Sequence, residues 1–177
     1  SDTGLKRILK LSFFYHLLQV SVGNKKVWQK IATEFIKPQK DMRILDIGCG
    51  TSGILEFLHG YDIQYSGFDF NDKYIKNSTK RWSHLGRYYF FCKSTNDIDV
   101  SENGSFDVVV AINLLHHLSD VEVDRLINHA HKLIKPNGQM IVCDPCRFSD
   151  MSFFERFMVK HDRGRNIRYL DEYKQFF

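Results

Sequence analysis

The sequence predicts an α/β domain in which a mainly parallel β-sheet is covered by helices on both faces. Three observations predict it. From Met42 onward, short apolar runs alternate with amphipathic stretches, the signature of βαβ units. The runs are apolar nearly throughout, as strands buried on both faces are. A Gly-x-Gly-x-x-Gly stretch, Gly48 to Gly53, directly follows the first run, where a strand has to turn sharply toward a helix.

The elements follow in order. Leu5 to Lys37 alternates polar and apolar residues at helical spacing, with Gly23-Asn24 as a break between two helices and Pro38 as the stop. This divides the chain into an N-terminal helical cap, residues 1–41, and a sheet domain, residues 42–177. Strands are expected at Arg43–Ile47, Gln64–Phe68, Tyr88–Cys92, Phe106–Ile112 and Gln139–Cys143. Asn71 suits the N-cap of a helix on which Tyr74, Ile75, Ser78 and Trp82 face inward. Val121 to Lys135 places Val123, Leu126, Ile127, Ala130, Leu133 and Ile134 on one helical face. Ser119 and Glu122 form a capping box ahead of it, and Pro136-Asn137-Gly138 ends it and turns the chain into the fifth strand. Beyond Cys143 the pattern gives a helix from about Asp150 to Val159, a polar turn at Arg163-Gly164-Arg165-Asn166, and a further helix starting at Leu170.

Composition excludes several classes. At 43% hydrophobic and 26% charged residues the chain is an ordinary soluble domain, and no apolar run is long enough to span a bilayer. Ser1-Asp2-Thr3-Gly4 has none of the regions of a signal peptide, so a cytoplasmic location is expected. A net charge of +4 falls short of the dense basic stripe of a nucleic-acid binder. The four cysteines are too few for a disulfide framework. Cys143 and Cys146 have the spacing of half a zinc site, but no matching pair completes it, so no metal is expected. Oligomeric state is not legible.

Glycines at such a turn serve several nucleotide cofactors. Asp46, two residues before the first glycine, separates them: a fixed negative charge there repels a pyrophosphate and suits a cation. Asp69, ending the second strand, is placed to accept hydrogen bonds from vicinal ribose hydroxyls. Each has a plainer alternative, Asp46 capping amides of the turn and Asp69 acting as a surface N-cap.

Ile44-Leu45-Asp46-Ile47-Gly48-Cys49-Gly50-Thr51 resembles the first motif of class I S-adenosylmethionine-dependent methyltransferases, usually VLDxGCGTG. Phe68-Asp69 is similar to that family's acidic second-strand motif. Phe106 to Val110 followed by Leu115-His116-His117-Leu118 resembles its fourth-strand motif, and Leu133 to Gly138 its LKPGG turn. The resemblance runs from about Met42 to Asp144 and implies a Rossmann-like methyltransferase fold with S-adenosylmethionine as cofactor. The implied cofactor-binding residues are Asp46, Gly48, Cys49, Gly50, Asp69, Phe70, Ser94, Thr95 and Ala111. The family's acidic residue after the third strand is absent; Lys93-Ser94-Thr95-Asn96-Asp97 stands there, with Ser94 or Asp97 as substitutes. The family's C-terminal antiparallel hairpin is also missing before Phe177, which reads as a truncated chain.

The resemblance further implies methyl transfer to a small-molecule or lipid- or sugar-linked acceptor. Asn113 and His117 occupy positions that line the acceptor cavity in small-molecule methyltransferases. His116 and His117 are the candidate bases for a hydroxyl acceptor, and Asn113 offers both donors and acceptors. The sequence lacks the Asn-Pro-Pro-Tyr and Asp-Pro-Pro-Tyr motifs of amino-methylating nucleic-acid enzymes. The alternatives are a non-catalytic S-adenosylmethionine-binding regulatory module and an NAD-dependent oxidoreductase.

Overall fold

The computed structural model describes residues 25–97, 104–161, 164 and 166–177. The first of the two expected N-terminal helices lies outside them. The second is present as an α-helix over residues 25–30 that widens into a π-helical turn, Ile31–Ile36. It stops at left-handed Lys37, just before Pro38.

Five strands form one parallel sheet: β1 (Arg43–Ile47), β2 (Gln64–Asp69), β3 (Arg87–Cys92), β4 (Phe106–Ile112) and β5 (Ile134–Cys143). Their spatial order is β3-β2-β1-β4-β5. The chain therefore winds outward from β1 in both directions, and the crevice between β1 and β4 at the carboxyl ends is where such sheets bind ligands. Asp46 pairs in register with Gly67 on one side and Val110 on the other, at the centre of the sheet. Among the described residues no sixth or seventh strand follows, and β5 forms an edge.

Side chains alternate between two cores, as the pleat requires. Ile44 shares one face with Tyr65, Val108, Val110, Leu55 and Leu58, closed over by Ile31, Ala32 and Ile36. Leu45 and Ile47 share the other with Val109 and Ala111. That face is covered by α2 (Asp120–Leu133) through Val123, Leu126, Ile127, Ala130 and Leu133, each fully or nearly fully buried. Each such side chain contributes about 1.5–3 kcal/mol on leaving water. The capping box expected at Ser119 and Glu122 starts α2, with the Glu122 carboxylate accepting the Ser119 amide at 2.8 Å. The helix α1 (Asp72–Trp82) starts at Asn71, whose side chain accepts the Lys73 amide.

Three local expectations need correction. The segment after β1 is a 3-10 turn, Gly53–Glu56, and not an α-helix. Left-handed Ser52 stands directly before it, where an α-helix takes an extended N-cap. Tyr74 does not face inward; it is 42% exposed at the rim of the crevice, while Ile75, Ser78 and Trp82 are buried. The helix α2 ends at Leu133, because Ile134 already pairs with Phe106 before an irregularity and the left-handed Asn137. Two short helices close the chain, α3 (Phe153–His161) and α4 (Leu170–Lys174). No helix among the described residues is long and apolar enough to cross a membrane.

Candidate active site

A cavity of about 810 Å³ opens at the carboxyl ends of β1, β2 and β4. Its floor is the turn after β1. Gly48 and Gly50 have φ of 73° and 54°, which side chains other than glycine rarely adopt. A Cβ on Gly48 would also meet Leu114 Cδ1 at 2.8 Å. The turn's amides are consumed internally: Gly48 and Cys49 both donate to Phe68 O, at 2.8 and 2.9 Å, Gly50 donates to Asp69 Oδ2 at 2.9 Å, and Ser52 to Cys49 O. A cradle of free N–H groups for a pyrophosphate is therefore not formed by these four residues.

Two carboxylates border this floor. Asp46 is 4% exposed, and Tyr65 Oη donates to its Oδ2 at 2.5 Å. Burial pushes the Asp46 carboxyl up to about 7; the Tyr65 hydrogen bond opposes that rise and the charge of Asp69 adds to it. Asp69, at the end of β2, accepts from Gly50 and Asn71 amides. Each of its oxygens keeps a second lone pair for another donor.

The sequence-predicted residues divide as follows. Asp46, Gly48, Cys49, Gly50, Asp69, Phe70, Ser94 and Thr95 all line the cavity, as do Asn113 and His117. Phe70 is 80% exposed and reaches over the opening. Ala111 does not line it, being fully buried in the core under α2. Of the two histidines, His117 is exposed on the cavity side, whereas His116 is buried with Nδ1 2.5 Å from Asp144 Oδ1. Burial of Cys49 against Asp46 raises its thiol's pKa, so it stays protonated. Asn113 sits at φ 53°, a strained conformation that asparagine tolerates, and donates its amide to Cys143 O.

Four further residues build the site and were not singled out in the sequence. Tyr65 holds Asp46. Asp144 takes the amides of Leu115 and His116 as well as the His116 ring. Arg168, 7% exposed, donates to Leu115 O, Leu118 O and Asp120 Oδ1, tying the chain's end to the turn that carries the histidines. Trp28 lines the cavity and packs on Gly53, where a Cβ would lie 2.4 Å from its ring. A signal existed for Asp144 alone: like Asp46 and Asp69, it is an acid at the carboxyl end of an apolar strand. Lys93, in place of an acid, also lines the cavity, its Nζ 5.8 Å from the centre of the Phe68 ring.

Known proteins share this fold. A family model described as "Methyltransferase domain" matches residues 45–140. The chain is 34% identical over 103 residues to a ubiquinone biosynthesis O-methyltransferase of Bradyrhizobium diazoefficiens, covering 57% of this chain and 39% of that protein. It is 24% identical over 160 residues to a phosphoethanolamine N-methyltransferase of Plasmodium falciparum, covering 89% of this chain and 58% of that one. The chain thus spans less than two thirds of either relative. Among solved structures, the YcgJ protein of Bacillus subtilis superposes with a TM-score of 0.70 at 16% identity, over 85% of this chain and 66% of that chain. Phosphoethanolamine N-methyltransferase 2 of Haemonchus contortus, in complex with S-adenosyl-L-methionine, superposes with a TM-score of 0.66 at 19% identity, over 84% and 35%. At these identities the likeness is one of fold. Matched by the family model over more than half its length, the chain belongs to the methyltransferase-domain family and has the Rossmann-like fold of class I S-adenosylmethionine-dependent methyltransferases.

Proposed function

We propose that this chain is the cofactor-binding domain of an S-adenosylmethionine-dependent methyltransferase acting on a small-molecule or lipid- or sugar-linked acceptor. One observation carries the reading: Asp46 and Asp69 border one cavity whose floor amides at Gly48, Cys49, Gly50 and Ser52 are already bonded. Such a wall fits a ligand with a cationic end and vicinal hydroxyls, and it disfavours a dinucleotide pyrophosphate. The donor set therefore fits this cofactor and counts against the oxidoreductase alternative.

Each residue then has a task. Asp46 takes the ammonium group and Asp69 the ribose hydroxyls through its remaining lone pairs. Gly48 and Gly50 bring the backbone close, with Cys49 as an inert filler between them. Phe70, Ser94 and Thr95 flank the adenine. When bound, the cofactor supplies a sulfonium-activated methyl group for in-line displacement. Asn113 orients the acceptor by hydrogen bonding, and His117 takes the acceptor's proton where the acceptor is a hydroxyl. The described N-terminal residues 25–41 cap the cavity, a role supported by Trp28 on its wall.

Calorimetric titration with S-adenosylhomocysteine and with NAD tests the reading, the first expected to bind and the second not. NAD binding without S-adenosylhomocysteine binding overturns it. Screening acceptors with labelled cofactor then separates an enzyme from a non-catalytic module. His117→Ala should lower turnover on a hydroxyl acceptor by about 10²–10⁴-fold with cofactor affinity retained.

A further inference from the structure

Asp46 and Tyr65 form a buried pair directly behind the cavity wall. Tyr65 is fully buried on β2, and its hydroxyl donates to Asp46 Oδ2 at 2.5 Å. Asp46 borders the cavity, whereas Tyr65 is not among the residues that line it. We propose that Tyr65 is a positioning residue for the cofactor's cationic end: its hydroxyl fixes the Asp46 carboxyl, and ligand binding at this pair releases a proton. The inference rests on the functional reading above.

Burial and the Tyr65 hydrogen bond together support the coupling. An isolated carboxylate enclosed by protein is costly unless a cation or donors compensate it. The described structure gives Asp46 one side-chain donor, Tyr65, and a second acid nearby, Asp69, which opposes its ionisation. Burial places its titration at about 7, so near neutrality Asp46 is a mixture of carboxyl and carboxylate. An ammonium group brought alongside favours the carboxylate, and the displaced proton leaves to solvent. The phenol does not take part as an acid, since burial and the adjoining carboxylate push its own titration far upward. Tyr65 remains a donor throughout and stabilises the ionised form of Asp46.

Other titratable groups face the same space. Cys49 lies in the turn and Asp69 at the end of β2. Across the cavity are Tyr74 on α1, Lys93 after β3, and His117 and Glu122 beyond β4. His117 is an imidazole facing the same space, so the test has to separate it from Asp46.

The experiment measures the Kd of S-adenosylhomocysteine, whose α-ammonium group stays charged, from about pH 6 to about pH 8. For the wild-type chain, affinity should rise by about tenfold across this range, as a group titrating near the middle dictates. Calorimetry in two buffers of different ionisation enthalpy should show proton release on binding near pH 7. Asp46→Asn should bind weakly and lose the pH dependence, which assigns it to Asp46 and excludes His117. Tyr65→Phe should weaken binding at neutral pH by about threefold to tenfold, recovering toward wild type as pH rises, because loss of the donor moves the Asp46 titration upward. A merely structural tyrosine would lower affinity equally at every pH.

A flat wild-type profile without proton release overturns the proposal, as does a Tyr65→Phe profile parallel to wild type. If Tyr65→Phe does not fold, the wild-type proton count and Asp46→Asn still decide. Failure of wild type to bind S-adenosylhomocysteine at any pH overturns the functional reading and this inference together. Binding without the coupling overturns the inference alone.

Discussion

His116 Nδ1 lies 2.5 Å from Asp144 Oδ1, with only 5% and 2% of the two side chains exposed. The same carboxylate accepts the amides of Leu115 and His116, at 3.2 and 3.1 Å. The ring of His117 lies 4.0 Å from that of His116 and faces the cavity. One acid directly after β5 therefore sets the turn that presents His117, while His116 serves as its internal anchor.

Asp144→Ala should destabilise the fold by about 3–5 kcal/mol, because it removes an acceptor shared by an enclosed imidazole and two backbone amides. Asp144→Asn, which keeps an oxygen acceptor, should cost about half as much. Urea denaturation reads both. An Asp144→Ala chain within about 1 kcal/mol of wild type would show that the turn does not depend on this acid.

Asp46 should make stability fall as pH rises. Its carboxyl titrates at about 7 in the folded chain against an ordinary 3.8, so the folded form binds the proton more tightly than the unfolded form. The stabilising contribution is complete below 3.8 and is lost as pH climbs through about 7. Asp46→Asn should flatten this dependence and raise stability above neutrality by about 1–2 kcal/mol, part of the gain being offset by burial of the new amide. Urea midpoints measured for both chains from about pH 5 to about pH 8 test this; parallel curves would contradict it.

Asp69→Ala should weaken S-adenosylmethionine binding by about 1.5–3 kcal/mol while the chain stays folded. The change also releases the amides of Gly50 and Asn71, which the carboxylate now holds. Unchanged affinity by calorimetry in a folded variant would remove Asp69 from the site.

Arg168→Ala should cost about 3 kcal/mol, since it removes a buried donor to Leu115 O and Leu118 O and the cation packed over the Tyr173 and Phe176 rings. Arg168→Lys should recover part of this, because one ammonium cannot reproduce a planar fork that bonds two carbonyls and Asp120 together. Hydrogen exchange should show the effect concentrated at Leu115 to Leu118. Uniform loss of protection across the sheet would mean that Arg168 supports the whole fold instead.

What the sequence determined by itself is whatever short-range pattern encodes. The five strands are legible because each is built around a short run rich in apolar and aromatic residues, and the start of α2 because Ser119 and Glu122 cap within one turn. Asp46 and Asp69 are legible because each ends such a run beside a glycine turn or a helix start. Tertiary structure alone decided which of two adjacent histidines faces the cavity. The two rings lie side by side, 4.0 Å apart, and the choice fell to Asp144, the residue directly after β5, brought alongside by the β4–β5 pairing. Tyr65 looked like one more apolar strand position until the β1–β2 pairing set its hydroxyl against Asp46. Nothing in the local sequence marks Arg168, which the chain's return buries against the histidine turn. The physical reason is common to all three: a buried polar group needs a partner, and which partner it meets depends on strand order and chain return, which no local spacing records.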